Sequence, residues 1–167
     1  MYEIERKFLV ASDGWRSIPP LHVEPISQGY IPAENACVRV RISRGAELTI
    51  KSKPLDKNMR KRLEINVPIK TEEALILMRD VCAFELHKIR YTIDLSESSC
   101  DVGNRWEVDV FQGPLDGLIM AEIELFHEDD AFLIPSWLGA EVTEHEGFSN
   151  YSLARDGLKY VGGLIGE

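Results

Sequence analysis

Tyr2-Glu3-Ile4-Glu5-Arg6-Lys7-Phe8-Leu9-Val10 alternates charged and apolar side chains almost without a break. A β-strand turns successive side chains to opposite faces. Read as a strand over 2–10, this stretch puts Glu3, Glu5 and Lys7 on one face. Tyr2, Ile4, Phe8 and Val10 take the other, together with Arg6. The same period of two predicts further strands over 23–31, 37–43, 47–53, 61–69, 86–95, 104–112 and 118–126. Arg39 and Arg41 oppose Val38, Val40 and Ile42. Lys51 and Lys53 oppose Leu48 and Ile50, and Arg62, Glu64 and Asn66 oppose Leu63, Ile65 and Val67. Further on, Lys88, Arg90 and Asp94 oppose Ile89, Tyr91 and Ile93. Arg105, Glu107 and Asp109 oppose Trp106, Val108 and Val110, and Glu122 and Glu124 oppose Ala121, Ile123 and Leu125.

Turn residues separate these strands. Arg44-Gly45 follows the third, Pro54 ends the fourth, and Gly113-Pro114 with Asp116-Gly117 divides the last two. Thr71, followed by Glu72 and Glu73, predicts a helix start, because carboxylates favour the positive end of the helix dipole. Ala74, Leu75, Leu77, Met78, Val81 and Cys82 then recur at helical spacing. A second helix is expected from Ser149-Asn150, carrying Leu153, Ala154 and Leu158. The predicted class is mainly β (α+β): one domain over 1–167, an eight-stranded antiparallel β-barrel with a few outer helices.

Periodicity does not decide which face of each strand points inward. Apolar-in and charged-out is the common arrangement. Two features argue for the reverse. The charged faces are dense and of both signs, and two segregate by sign, Arg39 with Arg41 and Glu122 with Glu124. Like charges two apart on one face repel. They are better explained by a site where cations meet an anion and carboxylates meet a metal.

Composition sets the outer bounds. A chain of 167 residues can bury about 70% of its unfolded surface. The net charge of −9 argues against a general nucleic-acid binder, which carries a basic patch. No apolar run reaches the roughly 18 residues that cross a bilayer, and Glu3, Glu5, Arg6 and Lys7 do not read as a signal peptide. Cys37, Cys82 and Cys100 lie far apart without metal-ligand spacing, as expected for reduced packing thiols in a cytoplasm.

The opening Glu3-Ile4-Glu5-Arg6-Lys7 resembles the Glu-x-Glu-x-Lys signature that begins the CYTH family, the triphosphate tunnel metalloenzymes. Later landmarks follow in the family's order: Gln28-Gly29-Tyr30, Val38-Arg39-Val40-Arg41, Thr49-Ile50-Lys51-Ser52 and Glu64. Lys88-Ile89-Arg90-Tyr91, Glu107-Val108-Asp109, Glu122-Ile123-Glu124, Glu141-Val142-Thr143 and Phe148-Ser149-Asn150 complete the series. The resemblance covers nearly the whole chain and is nearest to the short bacterial members. It implies a barrel with a charged interior, a tunnel, that hydrolyses a linear triphosphate, foremost inorganic triphosphate to phosphate and pyrophosphate. It also implies Mg²⁺ or Mn²⁺ as cofactor, and the small triphosphate is the expected partner, with no nucleic acid or membrane.

Chemistry then distributes roles. Lys7, Arg39, Arg41, Lys51, Lys88 and Arg90 are the expected phosphate contacts, arginine as a bidentate fork and lysine as a point charge. Glu3, Glu5, Glu122 and Glu124, with Asp109 as a fifth, are the expected oxygen ligands of a hard cation. Glu64 and Glu107 serve equally well as ligands or as partners of nearby arginines. Tyr30 and Lys88 are the candidates to orient the attacking water or take its proton. His22, His87, His127 and His145 show no ligand spacing, and Trp15, Trp106 and Trp137 read as packing residues. Short relatives commonly carry lysine or arginine around the C-terminal Asn, whereas Asn150 is flanked by Ser149 and Tyr151 with no base before Arg155. Two other functions fit the resemblance. One is a class IV type adenylate cyclase, for which only Phe111 and Phe126 stand on charged faces as base contacts; the other is a polyphosphate or triphosphate sensor without turnover. The residues do not specify an oligomeric state.

Overall fold

The computed structural model describes residues 4–52, 64–95, 105–125, 127, 130–159 and 161–165. Glu3, Lys53, Arg62, Leu63, Cys100 and Phe126, named above, lie outside the described residues. In chain order the strands are β1 (Ile4–Val10), β2 (His22–Pro32), β3 (Ala36–Ile42), β4 (Ala46–Ser52) and β5 (Glu64–Ile69). The helix α1 (Thr71–Asp80) follows, then β6 (Phe84–Asp94), β7 (Arg105–Gln112), β8 (Ile119–Leu125) and β9 (Leu138–Glu141). The chain ends on α2 (Asn150–Asp156) and α3 (Gly162–Ile165).

All eight predicted strands form, and every pairing is antiparallel. The ninth, β9, is four residues long and too short for its sequence to display a period. The strand order is β5-β4-β3-β2-β6-β7-β8-β1-β9, so among the described residues β5 and β9 are the edges of a curled sheet. Curvature is visible in one contact: Arg90 Nη2 on β6 reaches Glu122 Oε2 on β8 at 3.0 Å, across the intervening β7. Leu9, Tyr30, Leu86, Phe111 and Met120, on that same face of five strands, also meet in one cluster, as a concave face brings about. The charged residues therefore line the inside of a tunnel, and the apolar faces lie outside.

The outer face needs cover, and two layers supply it. Phe8, Trp106, Val108, Ala121 and Ile123 pack under Trp15, from the 3-10 turn Asp13–Ser17, and under Trp137. Trp106 is edge-to-face with Phe8 at 5.7 Å and with Trp137 at 5.9 Å. Each large apolar side chain buried in this way contributes about 1.5–3 kcal/mol. On the opposite flank α1 lays Ala74 and Met78 against Val40 and Ala46. Its start is fixed by Glu73 Oε2, which accepts from the Lys70 N–H at 3.1 Å.

The second helix, α2, turns to the inner face rather than joining the outer layers. Leu9, Tyr30, Leu86, Phe111 and Met120 cluster with Phe148, Leu153 and Val161. Each of the first five stands two residues from a charged or polar inner-face residue: Lys7, Gln28, Lys88, Asp109 and Glu122. They share the tunnel's inner face, so the segment carrying α2 closes one end of it with an apolar plug. Ser149 caps α2, its Oγ accepting from Ser152 N–H at 3.1 Å. Gly157, at φ 61°, ends it in the left-handed region that glycine favours.

Gly29 sits where β2 passes beneath α1. A Cβ there would lie 2.6 Å from Cys82 Sγ and 3.2 Å from Met78 Cγ. Gly29→Ala should therefore destabilise the protein by about 1–3 kcal/mol, read as a lower urea midpoint at unchanged slope. A midpoint equal to the wild type's would refute this account of the β2–α1 contact.

Candidate active site

Antiparallel register sets the lining residues side by side. Lys7 faces Glu122 across β1–β8, Arg90 faces Asp109 across β6–β7, and Lys51 faces Glu64 across β4–β5. Arg39 faces Tyr30 and Thr49, and Arg41 faces Gln28 and Glu47. Two pairs join like charges: Glu5 with Glu124, and Glu107 with Glu122.

The deepest group is Lys88, whose side chain is 0% exposed. Its Nζ lies 2.5 Å from Asp109 Oδ2 and 5.4 Å from the centre of the Phe111 ring. Burial lowers its pKa, and Asp109 only partly opposes that. Arg90 is a saturated fork. Its Nε donates to Asp109 Oδ1 at 2.7 Å and Nη2 to Oδ2 at 2.6 Å, Nη1 binds Glu107, and Nη2 also reaches Glu122. Lys7 lies 2.9 Å from Glu5 and 3.3 Å from Glu122. Burial works against its charge, but Glu122 and Glu5 more than offset it and its pKa is raised. Glu122 is likewise buried, yet Lys7, Lys88 and Arg90 bring its carboxyl down to about 2.

The β3 side is different. The Nε atoms of Arg39 and Arg41 are buried with no hydrogen-bond partner among the described residues. Among the described residues Arg39 is held at Nη2, by Thr49 Oγ1 at 3.0 Å, with Glu47 at 4.0 Å. Burial and the neighbouring Arg90 and Arg39 lower the pKa of Arg41. An unpaired buried donor costs about 1–3 kcal/mol, more when charged. Two of them on adjacent guanidinium groups leave a concentrated demand for an anion. An open cavity of about 230 Å³ beside Arg41 is lined by that residue with Ser43, Gly45, Ala46 and Glu47.

The metal candidates divide. Asp109 is 0% exposed, with one oxygen on Lys88 and Arg90 and the other on Arg90, so it has the setting of a fixed counter-ion. The opposed pairs Glu5–Glu124 and Glu107–Glu122 offer only oxygen, the donor set a hard divalent cation prefers. Like charges directly opposite repel unless a cation lies between them, so these residues fit such an ion. Among the described residues no three carboxylate, imidazole or thiol groups converge on one point. Water, substrate oxygens and Glu3 would have to complete the shell.

Tyr30 is 3% exposed and donates its hydroxyl to Gln28 Oε1 at 3.1 Å. Burial raises its pKa, and its ring meets Tyr151 of α2 edge-on at 5.4 Å. Sequence reasoning did not single out Gln28, Thr49 or Glu24 as lining residues. For β2 the signal was there, since Glu24, Gln28 and Tyr30 share a parity, but the apolar Ile26 interrupts it. Thr49 lies two before Lys51 and accepts no charge of its own. The histidines are structural or exposed: His87 Nδ1 meets Ser27 Oγ at 3.0 Å, and His145 Nδ1 accepts from Gly147 N–H. Arg155 pairs with Asp156 beside Tyr151 and leaves the tunnel to Leu153.

An antiparallel tunnel with apolar outer faces and a wall of paired and unpaired charges defines a class of proteins that enclose a highly charged ligand. The chain belongs to the CYTH domain family, which it matches over residues 1–156. It is 35% identical over 159 residues to an inorganic triphosphatase of Nitrosomonas europaea, covering 92% of this chain and 97% of the relative. With an inorganic triphosphatase of Acetivibrio thermocellus it shares 34% over 160 residues, 94% and 96% of the two chains. A solved inorganic triphosphatase structure superposes at TM-score 0.68 with 31% identity, over 92% of this chain and 95% of that one. Proteins of this family are in general metal-dependent. No helix among the described residues is long and apolar enough to cross a membrane.

Two outcomes follow from the buried charges. Asp109→Asn leaves the Lys88 ammonium without its contact carboxylate, which should cost about 3–5 kcal/mol in urea unfolding; adding Lys88→Met should recover part of it. Glu122 has a folded pKa of about 2, depressed below its ordinary 4.5. Its contribution is therefore complete above about pH 4.5 and lost as pH falls toward 2. In EDTA, the urea midpoint of the wild type should fall more steeply across that window than that of Glu122→Gln. Parallel falls would refute the assignment.

Proposed function

We propose that this protein hydrolyses inorganic triphosphate to phosphate and pyrophosphate with Mg²⁺ or Mn²⁺, acting as a phosphoric anhydride hydrolase in the cytoplasm. The observation that carries the reading is the pair of buried, unpartnered guanidinium Nε atoms at Arg39 and Arg41 in a wall that otherwise pairs its charges. A linear triphosphate supplies oxygens in a row, and Arg39, Arg41, Lys51, Lys7, Lys88 and Arg90 are the cations set along it. Its relatives' activity, triphosphate hydrolysis, matches that demand.

Glu5, Glu122 and Glu124, with Glu3, are proposed to hold the cation, while Asp109 keeps Lys88 and Arg90 in place. When bound, a divalent ion neutralises phosphate oxygens and lowers the pKa of water. The chain's own residues do the rest. Water oxygen bonds to a terminal phosphorus, the bridging P–O bond breaks, and pyrophosphate leaves. Lys88, held as an ammonium on Asp109, donates to the attacking water and orients it, and the water's proton leaves with the product phosphate. Tyr30 stays a neutral phenol, since burial raises its pKa, and serves to orient the water. The arginines hold the charge shifting onto the leaving group.

The test compares initial rates on tripolyphosphate, ATP, GTP and thiamine triphosphate, with phosphate, pyrophosphate and cyclic nucleotide assayed separately. Tripolyphosphate should give the highest kcat/KM, with no cyclic AMP from ATP. Activity should vanish in excess EDTA and return with Mg²⁺ or Mn²⁺. Arg39→Ala and Arg41→Ala should each raise KM by about tenfold or more and leave the protein folded. Cyclic AMP as the main product from ATP would replace this reading with a cyclase, and full turnover after chelation would remove the metal from it.

A further inference from the structure

Lys7 has a second set of contacts, on its main chain and outside the tunnel. β9 stops at Glu141, so nothing in the sheet continues the pairing of β1 beyond Phe8 on that side. The next rung is nevertheless made. Val142 N–H donates to the Lys7 carbonyl at 2.8 Å, and Lys7 N–H donates to Thr143 Oγ1 at 3.0 Å. The threonine hydroxyl thus takes the place of the strand carbonyl that is missing. Its own proton goes to Glu141 Oε1 at 2.6 Å. Glu141 is in turn gripped through both oxygens by Arg6, at 2.6 Å from Nε and also through Nη2. Arg6 lies over Phe8 and Phe132, 5.6 and 5.0 Å from the ring centres. The hydrogen bonds from Arg6 through Glu141 and Thr143 therefore form one connected chain that ends on the backbone of a tunnel lysine.

We propose that Thr143 is a positioning residue for substrate binding, fixing the main chain of Lys7 so that its ammonium stands between Glu5 and Glu122 where a phosphate oxygen is bound. The proposal rests on the reading of Lys7 as a phosphate contact. Lys7 is a long, flexible side chain and a point charge, so its placement depends on where its Cα is held. Because the hydroxyl acts from the outer side of β1, it reaches the ligand only through Lys7.

The experiment measures kcat and KM on tripolyphosphate for the wild type, Thr143→Val, Thr143→Ser, Lys7→Met and the Thr143→Val/Lys7→Met double variant, with melting temperatures alongside. Valine keeps the β-branched shape and removes the acceptor of the Lys7 N–H. The single valine variant should raise KM about tenfold with kcat held within about twofold. Serine should restore KM, and valine should add nothing further once Lys7 is methionine. Should Thr143→Val fail to fold, Glu141→Gln, which weakens the acceptor that orients the hydroxyl, makes the same comparison. An equal rise in both Lys7 backgrounds, or an effect on kcat and melting temperature alone, or a serine variant as impaired as valine, would overturn the inference while leaving Lys7 as a contact. An unchanged KM in Lys7→Met would instead overturn the reading of Lys7, and this inference with it.

Discussion

Asp109, Glu107 and Glu122 share one guanidinium, that of Arg90, and the rest of the tunnel is arranged around that contact. Removing an ion from water costs several kcal/mol even after relaxation, and only close opposite charges with well-formed hydrogen bonds return it. The inner wall meets this condition with an alternating network: Lys88 and Arg90 on Asp109, Arg90 and Lys7 on Glu122, Lys7 on Glu5. All but the Lys7–Glu5 tie, which lies within β1, join neighbouring strands or strands two apart, so the network also links the strands around the curl of the sheet. With charge inside, the hydrophobic core has to form outside the sheet, and it forms as two outer layers, under Trp15 and Trp137 and under α1.

Two departures from pairing stand out against this network. Among the described residues Arg39 and Arg41 keep buried Nε donors without a partner, and Glu5 stands opposite the like-charged Glu124. Unmet polar groups on rigid strands are preorganised for a ligand, because no reorganisation is needed when charge arrives. The first departure sits on β3 and the second on β1 and β8, so the demand for an anion and the demand for a cation lie on different strands. The α2 plug closes the lumen at Tyr30 and Phe111 with apolar side chains.

The strands and their inner faces were legible because the alternation is strict where both faces are constrained, as in Val38 to Ile42 or Arg105 to Val110. The direction of those faces was not legible from period alone; the resemblance supplied it, and the Arg90–Glu122 contact across β7 gives the physical reason. What escaped was whatever lacked a period or a charge. β9 is four residues long, Thr49 and Gln28 are neutral, and α2 has the apolar spacing of any helix, which does not tell an outer layer from a plug. Asp109 was expected as a fifth ligand from its residue type, and its contacts with Lys88 and Arg90 were not legible in the sequence. Its two occupied oxygens are a property of packing that no spacing encodes.

The carboxylates that neutralise Lys7 and Arg90 are also the ones proposed to hold a divalent ion, and this sharing has a thermodynamic consequence. Arg90 already uses Nε, Nη1 and Nη2 on carboxylates, so a phosphate oxygen competes with Glu107 and Glu122 for it. A cation drawing on those carboxylates relaxes that competition, and a phosphate drawing on Arg90 and Lys7 frees carboxylate oxygens in return. Coupling of this kind is reciprocal: whatever factor the metal adds to triphosphate affinity, triphosphate must add to metal affinity. Arg39 and Arg41 stand outside the exchange because they have little to release. On the proposed reading they would hold an anion before any metal arrives, whereas Lys7 and Arg90 would be freed as their carboxylates turn to the metal.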